Sequence, residues 1–187
     1  MSGTFYTAGK IVKQSLPLLM LLVLLEIIAG QFLNTSEKIL GMSGVLMLIP
    51  VVNGVGGNIG SVLGARITSG LHVGYIEPKL KDGNLRKNLF LSLALGGSVF
   101  FIMGIIIFVM TKIFNVETNI SIWRLLIIFL SSGTILIIVL CFICISSALY
   151  TYRKGLDPDN IVTPIVTTVG DFIGIASIMV MTVLIGL

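Results

Sequence analysis

Thr163-Pro164-Ile165-Val166-Thr167-Thr168-Val169-Gly170-Asp171-Phe172-Ile173-Gly174 sets one acidic residue inside an apolar run that extends from Ile161 to Leu187. A run of that length can cross a bilayer, since about 20 apolar residues suffice. A helix rising ~1.5 Å per residue carries Asp171 ~15 Å deep, near the midplane. An ionised carboxylate there costs roughly 2.5–3.5 kcal/mol on insertion scales, so a cation, a water-filled path or a polar neighbour must compensate. Thr167 and Thr168, four and three residues earlier, share its helical face, and Gly170 and Gly174 leave backbone exposed beside it. Carboxylate, hydroxyl and carbonyl oxygens on one stripe suit a hard cation better than a soft metal. The bland alternative is a carboxylate bonded to the next helix as structural glue.

The rest of the chain supports a membrane setting. Its 187 residues are 56% hydrophobic and 11% charged, and the mean hydropathy is +1.10. A soluble domain carries about 25% charged residues. The composition excludes a globular enzyme on a single anchor and predicts one all-α, multi-pass membrane domain over residues 1–187. Five spans are expected, at about 16–33, 39–73, 89–113, 122–152 and 161–187. Lys10 and Lys13 precede the first run, which is long, contains Glu26 and lacks a small-residue cleavage site; it reads as a retained helix rather than a leader. Asn34-Thr35-Ser36-Glu37-Lys38 reads as a tight polar turn. With an odd number of spans the termini lie on opposite sides. Placing Lys10, Lys13, Lys79, Lys81, Arg86, Lys87, Arg153 and Lys154 inside leaves only Lys38, Lys112 and Arg124 outside, which predicts N-in, C-out. The net charge of +4 reflects these basic loops and is no nucleic-acid footprint. Cys141 and Cys144 form a C-x-x-C within an apolar helix, where thiolates are disfavoured, and read as packing residues.

The second unusual stretch is Pro50-Val51-Val52-Asn53-Gly54-Val55-Gly56-Gly57-Asn58-Ile59-Gly60-Ser61. The second apolar region exceeds one straight crossing, and its proline and glycines predict a broken helix of the kind that lines transport sites. Its glycines serve two readings equally. Gly56, Gly60 and Gly64 have the spacing of a helix-packing face, and the same residues could expose carbonyl oxygens to a pore. If the segment is straight, Asn58 lies ~28 Å along it, in the zone that Asp171 reaches from the other side, so the two motifs could face one another. Glu26, near the expected outer end of the first helix, either lines a vestibule or bonds a neighbour. Arg66 snorkels to the inner surface, and His72 reads as a structural residue at the inner boundary.

These motifs together resemble the MgtE-type magnesium transporters, and especially their eukaryotic solute-carrier relatives. Pro50 to Asn58, continued by Ala65-Arg66-Ile67-Thr68 and Leu71-His72, is similar to that family's second-helix motif. Asp157-Pro158-Asp159-Asn160 followed by Pro164 to Asp171 is similar to its fifth-helix motif. The resemblance implies a dimer in the cytoplasmic (plasma) membrane, with helices two and five around a central cation path. It implies that Asp171 binds Mg2+ from both halves and that Gly56-Gly57-Asn58 help hold the hydrated ion. A backbone carbonyl at Thr167 is implied as a further ligand. Asn53, Gly54, Gly56, Ser61, Thr168, Gly170 and Glu26 are the lining candidates. Partners are then the bilayer and a second copy, or a homologous half. Two departures stand out. Only about fourteen residues precede the first helix, so no cytoplasmic sensor domain is expected, and Ser61-Val62 follow Gly60 where bacterial members tend to have asparagine or glutamine. Competing readings are a non-transporting assembly protein and an intramembrane aspartyl protease. The protease needs a G-x-G-D pattern and a second aspartate at membrane depth; Thr168-Val169 precede Gly170-Asp171, and no second such aspartate is present. The chain is therefore not expected to be an enzyme.

Overall fold

In a computed structural model, residues 8–40, 43–114 and 120–185 are described, and among them all regular structure is helical. The expected leading residues 1–7, the short loop around Glu117 and the last two positions of the fifth run lie outside them. The helices are α1 (Ala8–Leu40), α2 (Ser43–Leu46), α3 (Leu48–His72), α4 (Gly83–Ile113), α5 (Ile122–Arg153) and α6 (Val162–Leu184). Five of them are long and apolar enough to cross a membrane.

Two expectations about the first half are corrected. Residues 34–38, read as a polar turn, continue α1. Nothing in Asn34-Thr35-Ser36-Glu37-Lys38 forbids helix, and the first glycine after them is Gly41. Within the region 39–73, the described residues 43–73 divide at Met47, between α2 and α3, and α3 then runs unbroken through Gly54, Gly56, Gly57 and Gly60. Pro50 stands in the first turn of α3, where its missing N–H has no intrahelical partner to lose.

The remaining ends have local causes. The Asp82 carboxylate caps α4 by accepting from the Leu85 N–H at 2.7 Å. We expect Asp82→Ala to lower stability by ~1 kcal/mol and fray the first turn of α4, measured as thermal unfolding in detergent. Gly74 adopts φ +73°, the left-handed region, and reverses the chain so that the Ile76 N–H donates to the Gly70 carbonyl at 2.9 Å. The Ile76 side chain then covers the hydrogen-bearing side of Gly70. Before α6, Asp157 caps a single 3-10 turn, Pro158–Asn160, accepting from the Asp159 N–H at 3.1 Å and from the Asn160 amide at 3.2 Å.

The core lies along α5, which packs on α3, α4 and α6, while α3 and α6 also pack on each other. Lipid offers apolar side chains as good an environment as a neighbouring helix, so association depends on close fit and small residues. That fit is visible at the glycines. Phe100 of α4 lies over Gly133 of α5 and stacks at 5.4 Å on Phe129. Gly96 of α4 takes Ile137 of α5. Leu136, Leu140, Cys141 and Cys144 of α5 are all buried, and both thiols are free, as packing residues would be. α1 stands outside this core, against α6, with most of its apolar side chains exposed on the remaining sides.

Candidate functional site

α3 and α6 run antiparallel with a register fixed by close approaches. A Cβ on Gly64 would lie 3.2 Å from Val162, one on Gly60 would strike Val166, and one on Gly174 would strike the Asn53 Oδ1. Asn53 reaches the backbone of the acidic residue itself: its Nδ2 donates to the Asp171 carbonyl at 3.3 Å. The two motifs face one another, as their expected depths allow. Asn53 takes the contact, and Asn58 lies at the level of Thr168, one turn from Asp171.

The glycines of this stretch divide between two faces of α3. Gly56 abuts Leu136 and Leu140, Gly60 abuts Val166, and Gly64 approaches Val162 and Cys144. The Cys144 Sγ lies 3.9 Å from the Gly60 carbonyl oxygen. These three are the packing face. Gly54 and Asn58 are exposed on the other side, with Gly57 and Ser61 partly buried at its edge, and a Cβ at Gly54 or Gly57 would meet nothing within 4 Å. Of the lining candidates, Gly56 turns its Cβ side to α5, and so does Gly170, whose Cβ would lie 3.2 Å from Leu140.

Around Asp171, which is half-buried, the polar groups come from three helices. Asn53 comes from α3, and its Oδ1 is buried without a hydrogen-bond partner. The Thr168 hydroxyl, one turn before Asp171 on α6, is buried and donates to Glu26 Oε1 of α1 at 2.9 Å. The Thr167 hydroxyl folds back on its own helix, donating to the Thr163 and Pro164 carbonyls at 3.1 Å each. Among the described residues, no lysine, arginine or histidine pairs with Asp171 or Glu26.

Glu26 is where sequence reasoning fell short. With the first helix ending at Leu33, it stood near an outer end. Because α1 continues to Leu40, Glu26 moves towards mid-helix and meets α6 beside Asp171. Of its two readings, the bond to a neighbour is present. His72 also gains company. It lies at the end of α3, with Nε2 4.0 Å from Asp157 Oδ1 and Nδ1 3.7 Å from Asp159 Oδ2. Arg66 is exposed and, with Ser69, Tyr75 and Asn88, lines an open depression that prolongs the outward face of α3.

Five apolar helices, with oxygen-bearing groups converging on a mid-helix carboxylate, define a multi-pass membrane protein. The family model MgtE, described as a divalent cation transporter, matches residues 49–181, from the first turn of α3 almost to the end of α6, and the chain belongs to that family. It is a family of transporters, not of enzymes. Solute carrier family 41 member 2 of Xenopus laevis is 26% identical over 171 residues, covering 82% of this chain and 29% of that protein. The Homo sapiens member 2 is 25% identical over 166 residues, 80% of this chain and 28% of its own length. Solute carrier family 41 member 3 of Mus musculus is 25% identical over 183 residues, 88% and 36% respectively. The chain thus spans well under half the length of these relatives.

Proposed function

We propose that this chain is the ion-conducting unit of a divalent cation transporter of the plasma membrane, with Mg2+ as its first cargo. It works with its N terminus in the cytoplasm and its C terminus outside, paired with a second copy or a homologous half. The observation that carries this reading is Asp171: a half-buried carboxylate in the middle of a membrane-length helix, without a cationic side-chain partner among the described residues. Membership of the MgtE family supports the same class of cargo.

In this reading Asp171 of each unit holds the ion, aided by the Asn58 amide oxygen and by backbone oxygens of Gly57 and Thr167. Asn53, Gly54, Ser61, Thr168 and Glu26 border the path. The pairing follows from solvation. The outward face of α3 presents Gly54, Asn58, Ala65 and Ser69. Polar groups and bare backbone facing lipid are unfavourable, whereas beside a water-filled cavity they are not. A second unit over that face supplies the cavity. Mg2+ demands octahedral oxygen geometry and dehydrates reluctantly, so two carboxylates with amide and carbonyl oxygens can hold it while several waters remain. Mutual repulsion of the two carboxylates is relieved by the ion between them.

Thermal unfolding of the purified protein across a series of divalent chlorides tests this reading. A ligand at a hundred times its Kd stabilises by about 2.7 kcal/mol. Mg2+ should therefore raise the midpoint of the wild type by several degrees and leave Asp171→Asn unmoved. Equal shifts in the two proteins, or none in either, would reject the ion site and favour the assembly-protein reading.

A further inference from the structure

Glu26 borders the proposed path without a stated role, and it lies on α1, outside the matched residues 49–181. Three observations bear on it. Its carboxylate accepts a hydrogen bond from Thr168 at 2.9 Å, and Thr168 is buried, so one oxygen of Glu26 is fixed on α6 rather than swinging in lipid. Thr168 and Asp171 are one helical turn apart on α6, which puts the two carboxylates on neighbouring levels of one surface. Neither has a basic partner among the described residues, although each is an acidic residue within a membrane-length helix. A glutamate serving only as glue would need one acceptor oxygen for one hydroxyl, and glutamine supplies that without the charge. The charge is the part that packing leaves over.

We infer that Glu26 is a specificity-determining residue of the transport site, setting a second negative charge beside Asp171 within each unit, with Thr168 as its positioning residue. The inference rests on the reading that Asp171 holds the transported ion. Its physical content is valence selection. Coulomb attraction to an added carboxylate is twice as large for a doubly charged ion as for a singly charged one at the same distance. Hydrogen-bonding geometry alone gives no such preference. A second fixed carboxylate therefore raises the affinity for divalent cations and raises the ratio of divalent to monovalent flux, whatever the ion's radius.

The test is flux into proteoliposomes carrying the full chain, driven by gradients of MgCl2 or of KCl. Glu26→Gln keeps the shape and the Thr168 contact and removes the charge. It is expected to transport, with the half-saturating Mg2+ concentration raised about tenfold, equivalent to about 1.4 kcal/mol, and the Mg2+ to K+ flux ratio lowered. Glu26→Asp, which keeps the charge, should retain more of the ratio, and Thr168→Val should shift both quantities in the same direction as Glu26→Gln. Wild-type half-saturation and ratio in Glu26→Gln, alongside an inactive Asp171→Asn, would overturn the assignment of Glu26 and leave the Asp171 site standing. A lower unfolding temperature in Glu26→Gln with half-saturation and ratio unchanged would overturn it in favour of packing. Undiminished Mg2+ flux in Asp171→Asn would instead remove the ion site, and the inference with it.

Discussion

Asp171→Asn should abolish divalent-ion uptake in reconstituted vesicles while the helical bundle remains assembled. The substitution preserves volume and removes one charge from each unit. A carboxylate ~5 Å from a doubly charged ion, at an effective dielectric near 20, attracts it by about 6–7 kcal/mol before any loss of hydration is subtracted. If only ~3 kcal/mol of that survives, occupancy falls by a factor of about a hundred. Two units losing the charge together lose more. The bundle has no reason to come apart. The contact between α3 and α6 at this level runs from Asn53 to the backbone carbonyl of Asp171, which the substitution leaves in place. A neutral amide is also easier to hold in an apolar helix than a carboxylate. The measurement is initial Mg2+ uptake normalised to folded protein, with unfolding temperature recorded in parallel. Uptake within twofold of wild type would remove Asp171 from the path.

The second large effect should separate two glycines three residues apart on α3. Gly60→Ala is expected to destabilise the protein by about 1–2 kcal/mol. Its new methyl strikes Val166 of α6. Overpacking of this kind costs about 1–3 kcal/mol, and the gain of up to about 1 kcal/mol from replacing a helical glycine by alanine offsets part of it. Gly57→Ala adds the same methyl where nothing stands within 4 Å, so its stability should equal or exceed wild type. Its transport should nevertheless fall, because the methyl projects towards the outward face of α3 that borders the proposed path. Reduced flux without reduced stability at Gly57, and reduced stability at Gly60, would mark the two faces. The opposite pattern, with Gly57→Ala unfolding and Gly60→Ala stable, would mean that α3 is rotated from the orientation described above.

Much of this architecture could be read from residue order. The end of α5 is announced by Lys154-Gly155, and Gly155 adopts φ +67° just beyond that helix; the start of α4 is less legible, expected at about residue 89 but set at Gly83 by the Asp82 cap. The limit of α1 is less legible, because Asn34 to Lys38 are polar, as a turn would be, yet compatible with a helix. The glycines of α3 were ambiguous for a different reason. Spacing by four residues describes a helix face without saying what it meets, and only the positions of Leu136, Leu140 and Val166 decide that Gly56 and Gly60 are packing residues. Asp171 could be found from its depth alone. Its neighbours could not. Asn53 is 118 residues from Asp171, and Glu26 is 142 residues from Thr168, and no local pattern encodes contacts across such separations.

The bond between Glu26 and Thr168 also has a bearing on biogenesis. Translation delivers the two halves of that contact 142 residues apart. At about 5–20 residues per second, roughly 7–30 seconds pass between them. During that interval the nascent α1 carries an acid whose hydroxyl donor is still unmade. The contact closes only when α6 emerges, so the order of synthesis makes α1 the segment that waits for α6.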